Sequence, residues 1–104
     1  MKSIQKQLLE LTLSLHSLGL NEGSSGNCSI RHDNGFYITP SGLNPKSMNE
    51  NDMVFMDFNG VIQSNQKPHR EPSSEWRFHH DILKFRKDVN VVIHTHSTFA
   101  TTLS

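Results

Sequence analysis

The chain has 104 residues, with ten basic and ten acidic side chains and no net formal charge at pH 7. This length allows one domain at most, the balanced charge does not indicate a nucleic-acid or anionic membrane partner, and no apolar run reaches the ~20 residues that span a bilayer. No secretory signal is evident at the N-terminus, and the single cysteine, Cys28, cannot form an internal disulfide, which together predict a cytoplasmic protein.

The N-terminal quarter is predicted to be an amphipathic helix followed by a loop. Apolar residues recur every three or four positions in residues 3–18: Ile4, Leu8, Leu11, Leu15 and Leu18. Ser3 is the expected N-cap, and Gly19 lies where a helix C-cap is expected. The following loop, 23–29, is rich in glycine and serine, so its backbone N–H groups could approach an anion, although most such loops are only connections. Cys28 is interpreted as a small buried residue rather than a nucleophile.

Two β-hairpins are predicted in the middle of the chain. The first has strands at 28–31 and 35–39 around the turn Asp33–Gly35, and ends at a second small-residue loop, Pro40–Gly42. A polar segment with one helical turn follows. The second hairpin has a strand at 53–57 and turns at Asn59-Gly60.

Ser73, Ser74 and Glu75 are predicted to open a second helix. Either serine could cap it, and Glu75 would fall in the first turn, where the helix dipole favours a carboxylate. A helix N-terminus with two hydroxyls can bind an anion, but an ordinary capped helix start accounts for the same residues. The predicted apolar stripe of this helix is Trp76, Phe78, Ile82 and Phe85. His79 and His80 are predicted to be surface or packing residues.

A run of β-branched residues, Val91–Ile93, predicts a buried strand that leads into a His-x-His pair. Because residues two apart on a strand share a face, His94 and His96 would present both imidazoles to one side. Two such imidazoles form half of a site that suits zinc, and the alternative is two satisfied histidines at a strand end. A catalytic zinc usually takes three protein ligands, so another residue must contribute. A further helix is predicted to start at Ser97 or Thr98.

The order of these elements predicts a largely antiparallel sheet with helices, and the family resemblance given next implies a three-layer α/β/α fold with a mixed, mostly antiparallel central sheet. Four runs, taken together, resemble the class II aldolase/adducin family, and within it the members that cleave L-fuculose 1-phosphate. These runs are Gly19–Asn21 with Gly23–Ser29, Ile38–Gly42, Pro72–His79 and His94–Ser97. The resemblance implies that residues 1–104 are the N-terminal part of a single class II aldolase-like domain, truncated before its C-terminal part.

The resemblance also implies a zinc-dependent aldehyde-lyase of carbohydrate metabolism with one Zn²⁺ per subunit. It would cleave a ketose 1-phosphate by a retro-aldol reaction into dihydroxyacetone phosphate and an aldehyde. By match to the family motifs, Glu75, His94 and His96 would be zinc ligands, and Glu75 would also transfer the proton. The residues implied to hold the substrate phosphate are Gly26, Asn27, Ser41, Gly42, Ser73 and Ser74.

Several alternatives within the family stay open. The family includes a sugar-phosphate 4-epimerase and a dehydratase that use the same metal and pocket, and adducin-like interaction modules without catalysis. The presence of Glu75, His94 and His96 argues against the adducin-like class. The family's third zinc histidine and a C-terminal tyrosine proton donor would lie beyond this sequence, so we expect the chain alone to be inactive. The family also implies a homotetramer. Arg77 could be structural or could neutralise Glu75.

Overall fold

Two helices flank a five-stranded sheet in the computed structural model, which describes residues 2–19, 26–63 and 69–95 and the backbone of 100–103. The helices are α1 (Ile4–Ser17) and α2 (Trp76–Phe85), and the strands are β1 (Asn27–His32), β2 (Gly35–Ile38), β3 (Val54–Asp57), β4 (Val91–His94) and β5 (Ala100–Leu103). The strand order is β3-β2-β1-β4-β5. This confirms the predicted α/β/α layers. A mixed sheet was expected, whereas every pairing between the described strands is antiparallel.

Helix α1 covers one face of the sheet and has the predicted ends. The Ser3 hydroxyl accepts a hydrogen bond from the backbone N–H of Lys6, and Gly19 has a left-handed φ of 76° just after the helix. Leu8 and Leu15 are buried as predicted, but Leu18 is 71% exposed. The prediction for Leu18 is wrong because this residue is the C-cap of α1, at the point where the chain leaves the helix.

The core under α1 is formed by leucines of the helix and by one face of the sheet. Its buried members are Leu8, Leu15, Cys28, Met53 and Ile93. Each buried aliphatic side chain of this kind contributes ~1.5–3 kcal/mol to folding. Cys28 is fully buried and its sulfur lies 3.2 Å from the Thr12 hydroxyl. Burial raises the pKa of this thiol to about 12, which confirms that it is a packing residue.

Helix α2 covers the other face of the sheet, and only part of the predicted stripe, Trp76 and Ile82, packs there. The core there consists of Phe36, Ile38, Val54, Met56, Leu83, Val89 and Val92, with Phe58, Trp76 and Ile82 packed against it. Phe85 is 76% exposed and Phe78 is 39% exposed, whereas Leu83 and His79 are fully buried. Of the two alternatives predicted for His79, a surface or a packing residue, the structure shows the second. The apolar pattern of α2 did not predict the whole buried face, because one of the residues that face the sheet, His79, is polar.

The face of β1 that meets α2 is polar along its length, since Asn27, Ser29 and Arg31 alternate with Cys28 and Ile30. The Arg31 guanidinium donates hydrogen bonds to the carbonyls of Leu83, at 2.6 Å, and Arg86 at the end of α2, and to the Val89 carbonyl in the following loop. These carbonyls have no partner within the helix, and a cation also suits the negative end of the helix dipole. Arg31 therefore caps α2 from a neighbouring strand.

The connections largely follow the sequence predictions. The first hairpin turns at Asp33-Asn34, with Asp33 at a left-handed φ of 51° and Gly35 already in β2. The chain after β3 returns at Ile62, which bridges to Met56, and the polar segment forms two short 3₁₀ turns, Pro45–Ser47 and Glu50–Asp52. No helix among the described residues is long and apolar enough to cross a membrane.

The last described segment corrects a prediction. The helix expected to start at Ser97 or Thr98 does not form over Ala100–Leu103, which pairs with β4 as an antiparallel strand. Residues 96–99 themselves lie outside the described residues. A short segment with two threonines has little helical preference, and here pairing with β4 determines its conformation.

Candidate active site

The register of the sheet brings distant parts of the sequence to one end. Because β1 is antiparallel to both β2 and β4, the beginning of β1 lies beside the ends of these two strands. Asn27, the first residue of β1, is opposite His94, the last residue of β4. Gly26 precedes Asn27 at this edge. The Gly-rich segment and the histidine segment, about 65 residues apart in the sequence, therefore meet in space.

The loop before α2 joins this edge through main-chain contacts. Pro40 and Pro72 form an isolated antiparallel bridge. The N–H of Ser41 donates to the Glu71 carbonyl at 2.9 Å, and the N–H of Ser73 donates to the Thr39 carbonyl at 3.0 Å. The loop after β2 and the loop before α2 are thus held side by side, next to the start of β1.

The predicted phosphate-binding residues are brought together by these contacts, but they differ in exposure. Asn27 and Ser73 are buried, Gly26 is partly buried, and the other three, Ser41, Gly42 and Ser74, are exposed. Gly42 has a left-handed φ of 70°, which favours glycine at this turn. The arrangement places hydroxyl, carboxamide and backbone donors around one end of the sheet, in the type of loop setting that can bind an anion.

Helix α2 begins one residue later than predicted. Its first residue is Trp76, and the N-cap position is occupied by Glu75 rather than by either serine. The Ser73 hydroxyl instead accepts a hydrogen bond from the N–H of Glu75 at 3.3 Å. Glu75 therefore lies before the first helical turn, with a partly exposed side chain directed to the end of β4.

Glu75 and His94 form the centre of the site. The carboxylate oxygen Oε2 of Glu75 is in direct contact with Nδ1 of His94. This Nδ1 atom is buried and makes no hydrogen bond to any described residue. An imidazole nitrogen and a carboxylate oxygen are both ligand types that zinc takes in proteins, so these two residues fit a metal site.

The proposed ligand set is nevertheless incomplete in the described part of the chain. His96 lies outside the described residues. Among the residues that are described, no group of three or more histidine, cysteine or acidic side chains could hold a metal ion. The Phe78 ring packs on His94 with a centroid separation of 5.2 Å and limits its rotation.

A polar residue that sequence reasoning missed lies behind this pair. His79 is fully buried, and both of its ring nitrogens have partners on β1. Nδ1 lies 2.7 Å from the Ser29 hydroxyl, and Nε2 lies 2.5 Å from Oδ1 of Asn27. The Asn27 amide nitrogen in turn lies 3.5 Å from the Glu75 carboxylate. The signal in the sequence was the spacing of four between Glu75 and His79, which places them one helical turn apart.

The remaining polar residues of α2 face away from Glu75 and His94. The Arg77 guanidinium lies over the Trp76 ring, 4.6 Å from its centroid. Among the described residues Arg77 forms no ion pair with Glu75, so its role here is packing rather than charge neutralisation. The Nε2 atom of His80 is 2.8 Å from the Phe58 carbonyl.

The sequence matches proteins of known activity over almost its full length. The profile described as "Class II Aldolase and Adducin N-terminal domain" matches residues 6–104. A 5-methylthioribulose-1-phosphate/5-deoxyribulose-1-phosphate aldolase of Rhodospirillum rubrum is 45% identical over 102 residues, which are 98% of this chain and 44% of that protein. The L-fuculose phosphate aldolase of Escherichia coli is 38% identical over 101 residues, which are 97% of this chain and 45% of that protein.

Solved structures give the same picture of the fold. An L-fuculose 1-phosphate aldolase superposes with a TM-score of 0.82 at 33% identity, over 94% of this chain and 47% of that one. The L-fuculose-1-phosphate aldolase of Thermus thermophilus has a TM-score of 0.72 at 23% identity, over 94% of this chain and 49% of that one. The chain thus spans about half the length of the relatives that it matches.

Proposed function

Because the chain belongs to the class II aldolase and adducin family, we propose that it is part of a zinc-dependent aldehyde-lyase that acts on a ketose 1-phosphate. The observation that supports this most directly is the contact between Glu75 and the unpartnered Nδ1 of His94, at the edge where three donor-rich loops meet. A metal site beside an anion site would suit the retro-aldol cleavage of a sugar phosphate, because a metal can stabilise the enediolate while the anion site holds the phosphate. Adducin-like interaction alone would need neither.

The proposed ligands are Glu75, His94 and His96, with one Zn²⁺ per subunit. When bound, zinc would act as a Lewis acid for the negative charge that develops on the substrate oxygens as the carbon–carbon bond breaks. Glu75 is half exposed and lies at the N-cap, outside the helical turns, so its side chain can rotate. It could therefore hold the metal as a carboxylate in the resting site and, once it is protonated and off the metal, give that proton to the enediolate carbon left by cleavage, which forms dihydroxyacetone phosphate.

The proposed phosphate site uses neutral donors. Its residues are Gly26, Asn27, Ser41, Gly42, Ser73 and Ser74. Backbone and hydroxyl donors at the start of a helix suit a dianion, because the helix dipole is positive there. Binding the phosphate at this edge would orient the substrate carbonyl towards the end of β4.

The substrate is proposed from the relatives. Both named relatives act on ketose 1-phosphates, L-fuculose phosphate in one case and 5-methylthioribulose or 5-deoxyribulose 1-phosphate in the other. Cleavage between carbons 3 and 4 of any of these 2-ketoses leaves the first three carbons as dihydroxyacetone phosphate. A doubly charged sugar phosphate does not cross membranes freely, which supports a cytoplasmic location.

We further propose that residues 1–104 form the N-terminal part of a single class II aldolase-like domain, that this part alone is inactive, and that the active assembly is a homotetramer. The described residues supply only two candidate ligands, Glu75 and His94, and His96 would bring the set to three. The relatives that share the fold are about twice as long. Residues beyond those matched here would supply the rest of the site.

Two measurements test this proposal. Native mass spectrometry of the chain with zinc should show bound metal and the assembly state. In the same measurement, the His94→Ala variant should carry no zinc, and the control variant His80→Ala should carry it as the wild type does. A fusion of this chain to the C-terminal part of the E. coli relative should release dihydroxyacetone phosphate from L-fuculose 1-phosphate or 5-methylthioribulose 1-phosphate, and a chelator should abolish the release. Equal zinc binding by wild type and His94→Ala would refute the metal site. Epimerised ribulose phosphate without cleavage would favour the epimerase alternative.

A further inference from the structure

His79 occupies a buried position that apolar residues usually fill. The side chain is fully buried between α2 and β1, and a buried imidazole is costly unless both ring nitrogens are satisfied. Both are satisfied here, by Ser29 and Asn27, which are themselves buried on β1. A leucine would fill comparable space without this network, so the polar side chain serves something other than packing.

The direction of each hydrogen bond in this network can be worked out from its last member. An ionised Glu75 carboxylate can only accept, so Asn27 must present its amide nitrogen to Glu75. The Asn27 oxygen then faces His79, and Nε2 of His79 must carry the hydrogen that this oxygen accepts. In the neutral ring Nδ1 is left as an acceptor.

The other end of the network agrees with this assignment. Nδ1 of His79 lies 2.7 Å from the Ser29 hydroxyl, which can donate to it. The hydrogen bonds therefore all have the same direction: Ser29 donates to His79, His79 donates to Asn27, and Asn27 donates to Glu75. Burial, and secondarily the nearby His94, lowers the pKa of His79 to about 3, which keeps the ring neutral at physiological pH.

The alternative tautomer would disturb the site. With the hydrogen on Nδ1, Nε2 would accept from Asn27, and the carboxamide would rotate so that its oxygen faced the Glu75 carboxylate. The two oxygens would repel each other, and Asn27 would present no donor to the metal and anion site. Only a group with a hydrogen-bond donor at the Nε2 position holds Asn27 with its amide nitrogen facing Glu75.

From these contacts we propose that His79 is a positioning residue, which fixes the Asn27 carboxamide with its N–H groups directed at Glu75 and the adjoining anion site. Its value for the reaction rests on the function proposed above. Carboxylates at metal sites are oriented by hydrogen bonds from a surrounding shell, and loss of such a bond typically costs 10–100-fold in metal affinity or activity.

The first test is independent of zinc and of activity. The ¹⁵N NMR spectrum of histidine-labelled wild-type protein should show His79 as the neutral tautomer with hydrogen on Nε2. The Asn27 side-chain amide protons should be protected from exchange. Replacing Ser29 with alanine should preserve the tautomer, because the Asn27 oxygen still requires the Nε2 hydrogen. A tautomer with hydrogen on Nδ1 would overturn the proposal.

The second test uses zinc alone as the probe, in competition with a chelator. His79→Leu should weaken zinc binding about 10–100-fold. His79→Gln has an amide donor near the Nε2 position and should bind within about threefold of wild type. His80→Gln is the matched control and should bind as wild type, because the Nε2 atom of His80 contacts the Phe58 carbonyl and not Asn27. If the His79→Leu and His79→Gln variants are both folded and bind zinc with equal affinity, the proposal is overturned. Absence of zinc binding by wild type would refute the proposed function. The ¹⁵N NMR measurement of the His79 tautomer would then decide whether His79 positions Asn27.

Discussion

Asn27 and His94 are direct partners in the antiparallel ladder between β1 and β4. Their side chains lie on the same face of the sheet, since residues opposite each other in a ladder share a face. The glycine-rich segment and the histidine segment are therefore coupled by strand register. A slip of one residue would move both side chains away from Glu75.

We expect Asn27→Asp to weaken the binding of inorganic phosphate at least ~10-fold. The substitution keeps the size of the side chain but replaces an amide donor with an acceptor that carries a negative charge, close to Glu75 and to the anion. Binding can be followed by calorimetry. Asn59→Asp, on an exposed turn, makes the same change in charge away from the site. If both variants bind phosphate equally, Asn27 does not contact the anion.

The protein should lose stability as pH falls from about 6.5 towards 3. His79 has a folded-state pKa of about 3 and an ordinary value of 6.5, because burial and the nearby His94 oppose its protonation. The other described groups that contact its ring nitrogens, Ser29 and Asn27, are neutral. Below pH 6.5 the unfolded chain binds a proton that the folded chain excludes, so the free energy of unfolding falls by up to ~1.4 kcal/mol per pH unit.

Urea unfolding of wild type and His79→Gln between pH 4 and 7 measures this effect. The glutamine variant cannot take up the proton, so the slope of its unfolding free energy against pH should be smaller by up to the same ~1.4 kcal/mol per pH unit. Parallel slopes for the two proteins would show that His79 is protonated in the folded state.

Gly35→Ala should destabilise the protein by about 2–3 kcal/mol. A Cβ at this position would collide with the backbone carbonyl of Met56 and would lie 2.9 Å from the Cα of Asp57, both on the neighbouring strand β3. Gly19→Ala is a suitable comparison, because a Cβ there meets nothing within 4 Å and only the left-handed φ of 76° opposes it, at about 1 kcal/mol. Thermal or urea unfolding of both variants gives the comparison. Equal losses would contradict the β2–β3 register.

Cys28 should resist alkylation in the folded protein, at a rate at least ~100-fold below that of the unfolded chain at pH 8. It is fully buried, and its pKa is raised to about 12, so very little thiolate forms. Ser14→Cys places a thiol on the exposed side of α1 and should add one fast-reacting group. Rapid modification of Cys28 in wild type would show that the space between α1 and the sheet opens to solvent.

The sequence was sufficient to predict the layers and the first helix. The leucine spacing of α1 and the turn residues of the hairpins are local signals, and each element forms where its pattern indicates. The sheet that buries the α1 leucines consists largely of the strands of the predicted hairpins. Local patterns therefore determined the α/β/α arrangement.

Features that depend on contacts between distant segments could not be predicted. His79 is polar, so the apolar pattern of α2 excluded it from the buried face, yet β1 supplies partners for both of its nitrogens. The cap of α2 comes from Arg31, 52 residues before the carbonyl of Leu83 that it binds. The segment Ala100–Leu103 forms a strand because β4 offers an unpaired edge, a property of the folded sheet rather than of those four residues.

The pairing of Pro40 with Pro72 has a consequence for how the site can change during evolution. The ties between these loops are made by backbone atoms of Thr39, Ser41, Glu71 and Ser73. The side chains of Ser41 and Ser74 point outward and take no part in those ties. Point mutations at the two exposed serines can therefore change the side chains presented at this edge while the backbone pairing that holds the two loops together is inherited unchanged.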